Sequence, residues 1–275
     1  MLNFTVSEKL CNRCRECVWD CTMGIIEQDG DALPWIRIEN ERSCIRCQHC
    51  LAVCPTGAIS VHGRNPAGSE ALDPDGIPSL ASMLRLVRGR RSVRRFRNEN
   101  VDPGLIQRLL KALANVPTGA NRQELTFTVI ADGVAMRRLQ EQAKKALASG
   151  VARRIPQGEW FLENIVPIFL EKGPDIIFRT APHALFVSAP LEEVSAQVDV
   201  VLALAYFELM AHTAGLGTVW CGFLKALLET VPGLKERLGL PPDHFYYPML
   251  FGLPAVRYYR TVQRDDAAVI RIAAL

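Results

Sequence analysis

The chain has 275 residues, of which 49% are hydrophobic and 22% charged, with a formal net charge of +3 and nine cysteines. That charge is too small for a protein dedicated to nucleic acid or to an anionic membrane surface, and the length allows one large core or two smaller domains. The cysteines favour two domains, because eight of the nine lie between Cys11 and Cys54, in a piece too small for a large core and therefore stapled by covalent bonds or metal.

Met1 to Leu10 contains no basic stretch followed by an apolar one, so no secretory signal is expected and the expected compartment is the reducing cytoplasm. There, a cysteine framework reads as a metal site more readily than as disulfides. Cys11, Cys14, Cys17 and Cys21 follow the spacing C-x2-C-x2-C-x3-C, and Cys44, Cys47, Cys50 and Cys54 repeat it. At the same offset of 33 residues Arg13 matches Arg46, Gly24 matches Gly57 and Ile26 matches Ile59, so a whole unit is duplicated and both copies carry one chemistry. A disulfide knot would need an oxidising compartment, and structural zinc usually separates its cysteines into two distant pairs.

With its Cys54-Pro55-Thr56-Gly57-Ala58-Ile59 ending, the segment from about Thr5 to Val61 resembles the two-cluster bacterial ferredoxins. The first copy departs from the pattern in having Thr22 where the second has Pro55. In that family the fourth cysteine of each run ligates the other cluster. The resemblance therefore implies one [4Fe-4S] cluster on Cys11, Cys14, Cys17 and Cys54, and a second on Cys44, Cys47, Cys50 and Cys21. His49, between two of these cysteines, is expected not to be a ligand.

His62 to Ser79 has three glycines, three prolines and no apolar periodicity, which marks a linker. The expected organisation is residues 1–61 as the cluster domain, 62–79 as linker and 80–275 as a second domain. A flexible linker of this length reaches roughly 20–25 Å.

Between Arg85 and Arg97 there are seven arginines and no acid, a density that suits nucleic acid, a targeting patch or a bound phosphate. Asp102 and Pro103 suit the start of a helix, with Leu105, Ile106, Leu109, Leu110 and Leu113 at helical spacing. Thr126 to Ala131, Ala184 to Ala189 and Pro248 to Leu253 read as strands, and Met136 to Ser149 and Ser195 to Ala214 as helices closed by Gly150 and Gly215. The long apolar stretch Val198 to Val219 carries Asp199, Glu208 and His212, so it reads as a buried helix and not a membrane span. A helix apolar on most sides needs cover on most sides, which a dimer would supply. Trp160, Phe161 and Phe169, between Gly150 and Pro174, read as core or as a lid over a ligand. Cys221 reads as a small buried hydrophobe and Asp199 as a hydrogen-bonded core residue. His183, His212 and His244 have no motif around them.

Four segments in order carry a second resemblance. Arg90-Arg91-Ser92-Val93-Arg94-Arg95-Phe96 is similar to the R-R-S-x-R-x-F opening of the FMN-dependent nitroreductases. Pro117-Thr118-Gly119-Ala120-Asn121-Arg122-Gln123 is similar to their P-S-x-x-N-x-Q turn. Ala214 to Gly222 is similar to their A-x-G-L-G-T segment, and Gly252-Leu253-Pro254 followed by Tyr258-Tyr259-Arg260 to their G-x-P ending. The resemblance implies an α+β chain: a ferredoxin-like two-cluster domain, then a three-layer α/β FMN domain with a mixed sheet and a long dimer helix. It further implies a homodimer with FMN at the interface, held by Arg90, Arg91, Ser92, Arg94, Pro117, Thr118, Gly119, Asn121, Gln123, Trp220, Cys221, Gly222 and Arg260.

The expected activity passes electrons from the clusters to FMN and on to a small acceptor such as a nitroaromatic, quinone or activated alkene. The alternatives are a flavin enzyme driven by NAD(P)H that exports electrons through the clusters, or an electron-relay subunit. Ferredoxin or NAD(P)H is the expected donor. No nucleic-acid or membrane partner is expected, and no residue is assigned as a general acid.

Overall fold

The structure is a computed structural model, and it describes residues 2–152, 159–171, 175–264 and 267–274. The chain divides into two compact units, the first running to Pro78 with Ala120–Arg122, the second comprising Ser79–Gly119 and the chain from Gln123 onward.

In the first unit the duplication seen in the cysteines extends to the backbone. Helix α1 (Glu16–Trp19) recurs 33 residues on as α2 (His49–Ala52), and strand β2 (Ile26–Glu27) recurs as β4 (Ile59–Ser60). Left-handed residues recur too, Arg13 with Arg46, Arg15 with Gln48 and Gly24 with Gly57. Strand β1 (Thr5–Val6) pairs antiparallel with β4, and β2 pairs antiparallel with β3 (Trp35–Ile36). The core is a short set, Leu2, Cys17, Ile25, Ile26, Leu51, Ile59 and Val61, with Cys21, Cys44, Cys50 and Cys54 packed against it. Two-residue strands and single helical turns bury too little apolar surface to stand alone, so the unit depends on what its thiols hold.

The second unit is built on a sheet of order β5-β6-β8-β7, with every neighbouring pair antiparallel: β5 (Thr126–Ile130), β6 (His183–Pro190), β7 (Gly217–Trp220) and β8 (His244–Gly252). The mixed character of the sheet is confined to one parallel bridge, Ser92 to Thr218, beside β7. The three strands expected from sequence are present, β6 and β8 longer than expected and β5 one residue shorter. The stretch Val198 to Val219 read as one helix is helical only to Thr213, and after the left-handed Gly215 its end forms the additional strand β7.

Alternate residues of β6 and β8 enter opposite cores. Ala184, Phe186, Tyr246 and Leu250 face one side, and Leu185, Val187, Met249 and Phe251 face the other. Burial on both faces explains why these strands read as near-continuous apolar runs despite antiparallel pairing. The first core is closed by α5 (Gly133–Ala148), α6 (Glu159–Asn164), α7 (Val166–Leu170), α9 (Gly222–Thr230) and α10 (Leu234–Arg237). The second is closed by α4 (Pro103–Ala112) and α8 (Ala196–Thr213), which completes three layers. Asp102 caps α4 and Asp132 caps α5 by accepting backbone N–H bonds.

Two helices in this unit leave apolar faces uncovered. In α8, Val200, Leu204, Phe207 and Ala211 are buried, while Val198, Val201 and Tyr206 are exposed. Helix α3 (Leu80–Gly89) exposes Leu80, Met83, Leu84 and Val87, one stripe at helical spacing. No helix among the described residues is long and apolar enough to cross a membrane.

Candidate functional site

In the first unit, Cys11, Cys14, Cys17 and Cys54 line one pocket together with Arg13 and Arg15. Burial pushes the Cys17 thiol up to about 11, and the facing thiols of Cys54, Cys14 and Cys11 add to the rise. Cys50 is pushed up to about 12, first by burial and then by Cys47, Cys44 and Cys21. The fourth cysteine of each run thus faces the first three of the other. All nine cysteines are free in the structure.

The first set surrounds a small space, and among the described residues no three His, Cys, Asp or Glu side chains converge on a single ion. Backbone N–H groups are aimed at the sulfurs, from Ala58 to Cys54 Sγ at 3.2 Å and from Arg46 to Cys44 Sγ at 3.4 Å. At Cys54 burial acts to raise the pKa, yet the bonds from Ala58, Thr56 and Ile59 outweigh it and hold the thiol below its ordinary value. A set of four thiols around a shared space, supplied with N–H donors, fits a polynuclear cluster. His49 bonds to Asp20 at 3.1 Å.

In the second unit, Ser92, Arg94, Trp220, Cys221 and Gly222 come together around an open cavity of about 220 Å³ that Arg179 also lines. The cavity sits at the end of β7. Val93 N–H bonds to Thr218 O at 2.8 Å, drawing the arginine segment alongside the strand. That approach requires glycine at 217, because a Cβ there would lie 2.6 Å from a Val93 methyl. Cys221 is buried and its Sγ donates to Ile177 O at 3.2 Å; burial pushes its thiol up to about 11, so it lines the cavity as an unreactive group.

Arg90 does not face this cavity. Its guanidinium bonds to Glu208 Oε1 at 2.9 Å, and the same carboxylate accepts from Thr218 Oγ1 at 3.3 Å and Trp220 Nε1 at 3.1 Å. Glu208 is only 6% exposed. Sequence reasoning gave this residue no role. Its one signal is an acid on the apolar stretch of α8, which it shares with Asp199, where a buried charge requires partners. Arg91 lines a second cavity, with Arg97, Arg257, His212 and Tyr258 and with no carboxylate among the lining residues. Arg260 is exposed.

The Pro117–Gln123 turn lies elsewhere. Thr118 and Gln123 line a third cavity, and Gln123 N–H bonds to Thr118 Oγ1 at 3.0 Å. Gly119 N–H bonds to both oxygens of buried Asp199, at 3.1 and 3.2 Å, and Ser195 Oγ donates to the same carboxylate at 2.9 Å. Asp199 is the hydrogen-bonded core residue expected of it. Asn121 groups with the first unit, where its Nδ2 donates to Ile45 O at 2.8 Å. Phe161 and Phe169 are core residues, while Trp160 is 59% exposed and stacks on Phe223, which lines the first cavity. Residues 153–158 and 172–174 of the stretch considered as a lid lie outside the described residues.

Comparison with known proteins accounts for both units. Residues 87–253 match the family model of the nitroreductase family, and residues 10–59 match that of the 4Fe-4S dicluster domain. An iodotyrosine deiodinase of Haliscomenobacter hydrossis is 26% identical over 224 residues, 75% of this chain and 95% of that protein. Two solved structures share the fold, both nitroreductases with bound FMN. That from Desulfitobacterium hafniense has a TM-score of 0.54 at 22% identity, covering 69% of this chain and 97% of its own. That from Bacteroides fragilis has a TM-score of 0.53 at 20% identity, covering 68% and 98%.

Proposed function

This chain belongs to the nitroreductase family, and we propose that it is an iron–sulfur flavoprotein oxidoreductase that takes electrons in at two [4Fe-4S] clusters and delivers them through FMN to a small acceptor. The observation that carries this reading is the presence, in one chain, of two crossed four-thiol sets and a family cavity lined by Ser92, Arg94 and the Trp220–Gly222 segment. Bound FMN supplies the link between one-electron carriers and a two-electron reduction.

The protein's own groups hold, orient and bias the flavin. Ser92 and Arg94 face the cavity where the ring system is placed, and a guanidinium there favours negative charge on a bound ring. Arg91, Arg97 and Arg257 make a cationic cavity, also lined by His212, that suits the phosphate. Glu208 fixes Arg90 and Trp220, so the indole at the edge of the site keeps one orientation. The Pro117–Gln123 turn reaches the flavin of a second copy, and the exposed apolar faces of α3 and α8 form the dimer contact. The cytoplasm is the compartment that keeps eight cluster thiols reduced.

Nitroaromatics, quinones and activated alkenes are the acceptor classes, to which likeness to an iodotyrosine deiodinase adds iodinated phenols. Anaerobically purified protein should contain about eight iron and eight sulfide per chain with one FMN. Reduced ferredoxin, NADH and NADPH are then offered in turn, followed by nitrofurazone, menadione or iodotyrosine. Zinc without iron would sink the cluster reading. Rapid flavin reduction by NAD(P)H in a variant lacking the clusters would reverse the direction of electron flow.

A further inference from the structure

The first unit holds two histidines, and they are placed differently. His49 is turned to Asp20, whereas His62 Nε2 lies 3.8 Å from Cys44 Sγ. The backbone fixes that placement. His62 has φ 54 and Gly63 φ 72, in a turn closed by reciprocal bonds between Val61 and Arg64, and His62 N–H is anchored on Leu2 O at 2.9 Å. A side-chain-bearing residue held in the left-handed region is disfavoured unless its surroundings determine it.

The contact also breaks the repeat. At the offset of 33 residues Cys44 corresponds to Cys11, and His62 corresponds to Asp29, an exposed carboxylate with no N–H in its side chain. The two thiol sets share their spacing and several left-handed turns but differ at this position, where His62 is left-handed and Asp29 is not.

We infer that His62 tunes the cluster held by Cys44, Cys47, Cys50 and Cys21, donating its imidazole N–H to the Cys44 thiolate and raising that cluster's reduction potential above its partner's. The inference rests on the cluster reading proposed above. A donor to a ligand sulfur stabilises the more negative reduced cluster over the oxidised one, which makes reduction easier. The electron shared by the pair then rests preferentially on the Cys44 side, giving a duplicated module a direction.

The test is a potentiometric titration of the full chain followed by electron paramagnetic resonance at about pH 8, where imidazole is neutral. His62→Asn keeps a residue type that accepts the left-handed turn and removes the ring, while His62→Gln keeps a donor of longer reach. Iron and sulfide are counted in each. Full iron with an unchanged pair of potentials in both variants overturns the tuning while leaving the cluster reading intact, whereas absence of iron in the parent overturns the cluster reading itself. The expected result is that His62→Asn makes one cluster about threefold to tenfold harder to reduce, roughly 30–60 mV at 59 mV per tenfold, with His62→Gln between it and the parent. Should His62→Asn fail to assemble, nitrogen-15 histidine in the His49→Gln protein still decides. A nitrogen coupling to the reduced cluster supports the contact, and its absence overturns it.

Discussion

Arg90 and Glu208 stand 118 positions apart in the chain, and their side chains meet at 2.9 Å, the arginine leaving the cavity edge to neutralise a carboxylate buried on α8. Removing one partner of such a pair strands the other charge. For Glu208→Leu we expect a loss of about 2–4 kcal/mol, below the full cost of breaking a buried pair because the Arg90 side chain keeps 29% exposure. Trp220 also loses its acceptor, so FMN affinity should fall with stability. Thermal unfolding and FMN titration check both, and Glu208→Leu with unchanged FMN affinity would remove the positioning role.

The crossing of the cysteine runs predicts which double substitutions behave alike. Cys21→Ser with Cys47→Ser strikes one set twice and should leave about four iron per chain, whereas Cys21→Ser with Cys14→Ser strikes both sets and should leave far less. If each run instead held its own cluster, the two doubles would exchange results. Iron and sulfide analysis after anaerobic purification distinguishes them.

Gly119 sits where a Cβ would collide with Ser195 Oγ, in the same place where its N–H meets Asp199. Gly119→Ala should destabilise the second unit, and Ser195→Gly should recover part of the loss by opening the space. Asp199→Ala removes a charged acceptor from a partly buried N–H and should cost about 1.5–3 kcal/mol. Chemical denaturation of the single and double variants measures the coupling.

The uncovered stripe of α3 and outer face of α8 predict the assembly state. Leu84→Glu with Val201→Glu places charges on both faces without touching either core. Light scattering should show a shift from dimer to monomer, and on the proposal that the Pro117–Gln123 turn reaches the flavin of a second copy FMN should be lost in parallel. A monomer that keeps FMN at parental affinity would contradict the shared site.

Cys221 provides a pH-dependent prediction. Its thiol is pushed up to about 11 by burial, from an ordinary value of 9. The folded state therefore favours the neutral thiol. Its contribution to stability is intact below about pH 9 and declines as pH rises through about 11. At about pH 8 Cys221 should resist iodoacetamide in the folded protein, and Cys221→Ala should leave flavin reduction near the parental rate. Fast alkylation of Cys221 without unfolding would show that the thiol is accessible.

Spacing and local chemistry were legible in the sequence. The 33-residue duplication, visible in eight cysteines and a few glycines, fixed two equivalent half-units because left-handed turns and single helical turns are set by residues adjacent in the chain. The Asp102-Pro103 helix start and apolar runs likewise placed α4, β6 and most of β8. Pairings between distant residues were not legible. Spacing alone left open which thiols share a space, and nothing in the arginine run distinguishes Arg90, held by Glu208, from Ser92 and Arg94, which face the cavity. Those choices depend on the bridge between Ser92 and Thr218 and on which face of α8 meets β7, relationships that exist only once the sheet has formed. The same holds for His62: its type was always readable, but its approach to Cys44 depends on a turn that only the folded chain closes.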